Sequence, residues 1–202
     1  MLFRSMDDPD FQNEFSKLVL SDIDRITRVI ESMLAFSRPS QVSLAEHSTA
    51  DLIEEAIMLT QPRLKSKRIE VTRNFHEQAQ VKVDKQKILQ VLVNLINNAT
   101  DVLPEQGRIH IATGLRWMEG SGNGSQPRHY AVIEIRDNGP GIPAGVRGRL
   151  FDPFFTTKEF GKGTGLGLTV VKGIIEEHHG IISAESREGK GTTFTILLPK
   201  SG

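Results

Sequence analysis

Cysteine is absent from the 202 residues, and tryptophan and tyrosine occur once each. The missing thiols exclude disulfides, thiolate metal sites and a cysteine nucleophile, and they fit a reducing compartment. Neither sign of charge is in excess. The 25 Lys and Arg balance 25 Asp and Glu, so no global field draws the chain toward nucleic acid or a membrane surface. Also missing are an apolar run as long as a membrane span and the apolar core of a signal peptide. No internal repeat is apparent. These absences predict a soluble, cytoplasmic protein with no nucleic-acid partner. What is present, 38% apolar and 25% charged residues, suits one well-buried domain with an extra element, or two small domains. A basic run, Arg63, Lys65, Lys67 and Arg68, reads as a solvated helix end in preference to a binding patch.

Apolar spacing divides the chain. From about Asp10 to Phe36, Val19, Ile23, Ile26, Ile30 and Met33 recur at alternating intervals of four and three, the seam of a helix that packs on another helix. "SRPSQ" ends it at Pro39 and opens a linker to about Ser48. The pattern then turns mixed. "ADLIEEAIMLTQPRL" predicts a helix, "RIEVTRNF" and "AQVKV" short strands, and Asp84 an N-cap for a helix reaching about Val102. "RIHIATGL" and "YAVIEIRD" alternate as strands on either side of the loop "EGSGNGSQP". A helix over about 166–178 stops at Gly180, and "IISAESR" and "TTFTILLP" close the chain as strands. Helices grouped against a largely antiparallel sheet imply an α+β two-layer sandwich preceded by a long helix.

Three local features call for a ligand or for a plainer explanation. On the helix after Asp84, Ile88, Val91, Leu92, Leu95, Ala99 and Val102 form the expected buried stripe, opposed by Lys87, Gln90, Asn94, Asn98 and Asp101. Polar stripes are usually solvated, but asparagine is a poor helix former, and Asn94, Asn97 and Asn98 cluster mid-helix. An amide oxygen is a neutral, hard ligand suited to Mg²⁺ alongside phosphates, so both readings stand. In "YAVIEIRDNGPGIP", alternation puts Asp137 on the face of Ile133 and Ile135. A carboxylate aimed inward either caps its own Asn-Gly-Pro turn or reads an exocyclic amine such as adenine's. "GKGTGLGL" places four glycines in eight positions just before a helix, where free N–H groups favour an anion. It is not a P-loop, which needs G-x-x-x-x-G-K-[ST], nor a dinucleotide fingerprint, which directly follows a strand.

The ordered set "NLINNA", "DNGPGI", "FDPFFTTK", "GKGTGLGL" and "GTTF" resembles the N, G1, F, G2 and G3 boxes of the sensor histidine-kinase catalytic domain, within the gyrase, chaperone and mismatch-repair ATP-binding superfamily. The resemblance covers roughly residues 45 to 200. It implies that 1–38 are part of the second helix of a dimerisation and histidine-phosphotransfer hairpin, 39–48 a linker and 49–202 the ATP-binding catalytic domain. That domain implies a mixed, mostly antiparallel sheet with helices on one face. By the same resemblance Asp137 binds the adenine amino group, Thr193 assists through water, and Gly139, Gly141 and Ile142 shape the base pocket. Asn98 coordinates Mg²⁺, Asn94 lies beside the phosphates, and Gly163, Thr164, Gly165, Leu166 and Gly167 wrap the triphosphate. Residues 143–162 become a mobile lid docked by Phe151, Phe154 and Phe155, with Lys158 and Lys162 reaching the terminal phosphate. The implied cofactors are ATP and Mg²⁺. The implied partners are a response-regulator receiver domain, a histidine-bearing hairpin and a second copy in the intact dimer.

Two departures qualify the match. Many relatives carry a phosphate-contacting basic residue three positions after the Mg²⁺ asparagine, where this chain has Asp101. None of the six histidines, at 47, 76, 110, 129, 178 and 179, lies in the N-terminal helix, so the acceptor histidine is expected upstream of this sequence. Superfamily members that hydrolyse ATP place a glutamate four residues before the Mg²⁺ asparagine, as a base for water. Asn94 stands there, which favours phosphotransfer to histidine over ATP hydrolysis. The alternatives are an ATPase of the same superfamily and a non-enzymatic, ATP-gated interaction module.

Overall fold

The computed structural model describes residues 11, 12, 15, 16, 19, 23, 43–76, 79–118, 128–158 and 164–201. Phe11, Gln12, Phe15, Ser16, Val19 and Ile23 are helical, as the spacing predicts, and the rings of Phe11 and Phe15 stack with centroids 5.9 Å apart. The rest of the expected N-terminal helix and the loop "EGSGNGSQP" lie outside the described residues.

From Ala45 onward the elements run β1 (Ala45–Ser48), α1 (Thr49–Ser66), β2 (Glu70–Phe75), β3 (Gln80–Val83), α2 (Lys85–Val102), β4 (Arg108–Met118) and β5 (Arg128–Asp137). A 3-10 turn (Ala144–Arg149), α3 (Gly167–Glu177), β6 (Ile181–Arg187) and β7 (Gly191–Pro199) follow. Five strands form one sheet in the order β2-β4-β5-β7-β6, parallel only between β2 and β4. β1 and β3 make a separate antiparallel pair. The expected α+β architecture is therefore observed. Two elements were not expected: β1, in the interval read as linker, and the 3-10 turn.

Each helix buries the stripe its spacing dictates. On α1 this is Leu52, Ile53, Ala56, Ile57 and Leu64, and on α2 Ile88, Val91, Leu92, Leu95, Ile96 and Ala99. Val170, Val171, Ile174 and Ile175 of α3 join the same core, against Ile109, Ile111, Ile133, Ile135 and Ile196 of the sheet. Pro62 within α1 denies Met58 its usual carbonyl partner, and Met58 faces solvent, where water can serve instead. One stripe position differs. Val102, expected in the core, is 44% exposed, because the backbone leaves the helix at Leu103 and Leu103 turns inward in its place.

Side chains fix both ends of α2. Asp84 caps its start, accepting from the N–H groups of Gln86 (3.0 Å) and Lys87 (3.2 Å). Burial pushes the Asp84 carboxyl up, but these bonds, one from Ser43 N–H and the Lys87 charge outweigh it and leave the pKa lowered. The backbone N–H of Asp84 donates to His178 Nε2 at 3.0 Å, so that ring nitrogen is an acceptor and Nδ1–H donates to Ile174 O at 2.7 Å. His178 is thus a buried strut between α2 and α3.

At the other end, Lys67 Nζ donates to Thr100 O (2.8 Å), Asp101 O (3.1 Å) and Leu103 O (3.1 Å), capping the carbonyls α2 leaves open. Arg68 pairs with Glu105 nearby. The basic run therefore fastens the end of α1 to the end of α2. Lys67→Met should lower stability by about 1–3 kcal/mol, as expected when hydrogen bonds from a charged group are lost. A urea midpoint unchanged from wild type would refute the capping role. Among the described residues no helix is long and apolar enough to cross a membrane.

Candidate functional site

Beside the helix layer a cleft of about 530 Å³ opens between α2, the turn after β5, the segment Leu150–Lys158 and the start of α3. Strand pairing builds its inner end. Asp137 is buried at the end of β5, on the face of Ile133 and Ile135, as alternation requires. Its Oδ1 accepts from Gly139 N–H at 2.8 Å and Thr192 N–H at 3.3 Å. Burial pushes the Asp137 carboxyl above its ordinary range, and these two bonds offset part of that push. Val102 forms an apolar wall beside it, together with Ile142 and Leu150.

The turn after Asp137 is held shut by close backbone approach. Gly141 has φ +72°, and a Cβ there would lie 2.1 Å from Arg187 O, so only glycine fits. Ile142 N–H donates to Ser186 Oγ at 2.8 Å, and Ser186 Oγ donates to Gly191 O at 2.9 Å. This buried serine ties the turn to the β6–β7 hairpin, and no local sequence signal marks it.

The outer end is polar. Half-buried Asn94, Asn97 and Asn98 project from α2 into the cleft, facing Thr164, Gly165 and Gly167. Leu166 is itself buried, so its side chain is not offered to a ligand. No side chain caps the first turn of α3, which leaves its N–H groups available to an anion. Phe155 and Lys158 border this end. The Arg149 guanidinium lies over the Phe155 ring, 4.8 Å from its centroid. Thr169 Oγ1 donates to Phe151 O at 3.2 Å. Phe154, by contrast, is 65% exposed, and it meets the glycine loop at Gly165 through its backbone.

The cleft therefore gathers Asn94, Asn98, Asp137, Gly141, Ile142, Lys158, Thr164, Gly165 and Gly167 from the sequence-derived set. Gly139 shapes it through its bond to Asp137. Lys162 and Gly163 lie outside the described residues. Thr193 is not among the residues that line the cleft. It pairs with Arg136 and Glu185 on the far face of the sheet, while Thr192 lines the cleft and bonds Asp137. In "TTFTILLP" Phe194, Ile196 and Leu198 are buried, so period two already assigns Thr192 to their face. Arg63 of α1 also lines the cleft, unforeseen as a site residue.

Three donor amides on one helix face cannot hold a cation alone, and among the described residues no three His, Asp or Glu gather to do so. Such a site fits Mg²⁺ that arrives with phosphate oxygens.

Known proteins are similar to this chain in sequence and fold. Residues 83–202 match the family model for histidine kinase-, DNA gyrase B- and HSP90-like ATPases. The signal transduction histidine-protein kinase AtoS of Escherichia coli is 36% identical over 98% of this chain and 31% of its own length. The sensor kinase CckA of Brucella abortus is 38% identical over 96% of this chain and 21% of its length. The chain thus spans less than a third of either relative. Among solved structures, a nucleotide-free catalytic domain of histidine kinase ThkA superposes with a TM-score of 0.65 at 31% identity, over 79% of this chain and 99% of that domain. ThkA in complex with the response regulator protein TrrA gives 0.75 at 27% identity, over 97% of this chain and 53% of that one.

Proposed function

The chain belongs to the histidine kinase-, DNA gyrase B- and HSP90-like ATPase family, in its histidine-kinase catalytic branch, and on that premise we propose that its cleft binds ATP with Mg²⁺ and delivers the γ-phosphoryl group to a histidine of a dimeric helical hairpin. The phosphorylated histidine then serves a response-regulator receiver domain in the cytoplasm. The complex of the similar ThkA with TrrA supports that partner.

One observation carries the choice of phosphotransfer over hydrolysis. Among the described residues lining the cleft the carboxylates are Asp101 and Asp137, with no histidine or glutamate, and both acids are engaged. Asp137 is bonded to two backbone N–H groups, and Asp101 pairs with Arg63 and Lys158. Neither is placed to take a proton from water, so the γ-phosphoryl awaits a better nucleophile.

In this reading Asp137 accepts from the adenine amine, and Val102 and Ile142 cover the base. Backbone N–H groups of Thr164–Gly167 and the Lys158 ammonium hold the phosphates. Bound Mg²⁺ would be held by Asn98 and would neutralise charge on the phosphates. A nitrogen of the incoming histidine attacks the γ-phosphorus in line; the P–N bond forms as the bridging P–O bond breaks, and ADP leaves with that electron pair. Positioning and fixed charge supply most of the catalysis. Three of the chain's histidines are engaged in contacts of their own. His178 has both ring nitrogens bonded in the core, His110 is paired with Thr72, and His129 packs on Trp117.

The test is label transfer from γ-labelled ATP and Mg²⁺, by this chain alone and with a separately supplied histidine-bearing hairpin. Binding with negligible phosphate release, and label on the hairpin's histidine, is the expected result. Sustained release by the chain alone would replace this reading with an ATPase; binding without either would leave an interaction module. Asn98→Ala should lose the Mg²⁺-dependent part of ATP affinity, measured by titration with and without the metal. An unchanged Mg²⁺ response would remove Asn98 from that role.

A further inference from the structure

At the outer end of the cleft, three side chains from three segments meet in one ion cluster. Asp101 Oδ1 accepts from Arg63 Nη2 at 2.6 Å, and Asp101 Oδ2 accepts from Lys158 Nζ at 2.7 Å. One carboxylate on α2 therefore uses its two oxygens to tie a cation from α1 and another from the segment after the 3-10 turn. All three residues line the cleft. The backbone beneath Asp101 is fixed as well, because Lys67 Nζ holds its carbonyl and two neighbouring ones.

The cluster's charge bears on what it does. A lone carboxylate beside the phosphate site would repel the ligand, but two cations on one acid leave a net positive charge there. The bond to Asp101 uses one of the five guanidinium N–H donors of Arg63. The remainder of the fork suits the bidentate grip on phosphate oxygens for which arginine is fitted. We propose, building on the ATP reading, that Arg63 contacts the nucleotide phosphates and that Asp101 is a positioning residue, holding Arg63 and Lys158 toward them.

The ordinary alternative is a half-exposed surface ion pair with little effect on anything. That alternative predicts no change on substitution, and simple repulsion of the phosphates predicts the opposite sign. If Asp101 acts only as a negative charge near the phosphates, the near-isosteric Asp101→Asn tightens ATP binding. If it positions the cations, the same change weakens it. The experiment compares the affinities of wild type, Asp101→Asn, Asp101→Glu, Arg63→Ala and Arg63→Lys for ATP, ADP and adenosine, with Mg²⁺. Arg63→Ala is expected to weaken ATP and ADP about tenfold and leave adenosine unchanged, with partial recovery in Arg63→Lys. Asp101→Asn is expected to weaken ATP several-fold, with Asp101→Glu closer to wild type. Unchanged or tighter ATP binding in Asp101→Asn, or an unchanged ATP-to-adenosine ratio in Arg63→Ala, overturns the inference while the ATP reading stands. Wild type that binds ATP no better than adenosine defeats that reading and this inference together.

Discussion

Asp137→Asn should abolish useful nucleotide binding while leaving the fold as stable as wild type or more so at neutral pH. The binding loss follows from donor and acceptor polarity. Asparagine keeps one acceptor oxygen and replaces the other by an NH₂ group. If its oxygen stays with the N–H groups of Gly139 and Thr192, its NH₂ faces the adenine amine, donor against donor. If it flips, the clash moves to the two backbone N–H groups. Either orientation forfeits a bond to a charged acceptor and leaves donors unpaired, a cost of about 2–4 kcal/mol or roughly 30- to 1000-fold in affinity.

Stability moves the opposite way. Burial raises the Asp137 pKa above its unfolded value of 3.8, partly offset by its backbone bonds. A raised folded-state value gives stability that is complete below the unfolded pKa and is lost as pH rises through the folded one. At neutral pH the wild-type fold thus carries the cost of a buried carboxyl whose pKa is raised, which asparagine removes. Thermal melts across pH, with and without ATP, separate the two effects. The expected variant shows no ATP-induced rise in Tm and a flatter loss of stability above the carboxylate range. A variant that binds ATP as wild type does would sink the adenine assignment, and one that melts far below wild type would reduce the binding loss to misfolding.

Asp137 is legible in the sequence because everything that places it is local. Alternation with Ile133 and Ile135 sets its side, and the Asn-Gly-Pro turn sets where its strand ends. α2 is legible for the same reason, since an N-cap at Asp84 and a stripe of period 3.6 are written within one segment. Where the sequence is silent, a partner distant along the chain decides the outcome. β1 holds four residues with little apolar character and exists because it pairs with β3, some 35 positions on. Arg63 reaches the cleft only because α1 packs on α2, 38 residues away. Thr193 is a different case. Period two is present in the strand itself, and the role implied by the family box falls one residue out of phase with it.

Gly165→Ala should strip the cleft of its grip on phosphates and leave its grip on the base. Gly165 has φ +68°, and a Cβ built on it lies 2.3 Å from the carbonyl carbon of Phe154 and 2.6 Å from its oxygen. Those contacts are with backbone, so no side-chain rotation relieves them. The left-handed conformation adds about 1–2 kcal/mol for any residue with a Cβ. Phe154 is itself at φ +63°, so two left-handed residues, one from each segment, meet at this point. Alanine must push the loop before α3 away from the segment that carries Lys158. That segment and the N–H groups of Thr164–Gly167 make the outer end of the cleft, whereas Asp137, Val102 and Ile142 at the inner end are untouched.

Affinity for ATP should therefore fall at least about tenfold, the equivalent of one or two lost charge-assisted bonds, with adenosine affinity unchanged. Gly173→Ala is the matched control on the same helix. A Cβ there meets nothing within 4 Å, so the change should leave binding intact and stabilise α3 by about 0.5–1 kcal/mol. Calorimetric titration of both variants with ATP and adenosine reads the contrast. An ATP-to-adenosine ratio in Gly165→Ala equal to that of Gly173→Ala would mean the glycine loop packs against Phe154 for structural reasons alone. The phosphates would then have to be held from the α2 side, by Asn94, Asn98 and the cations tied to Asp101.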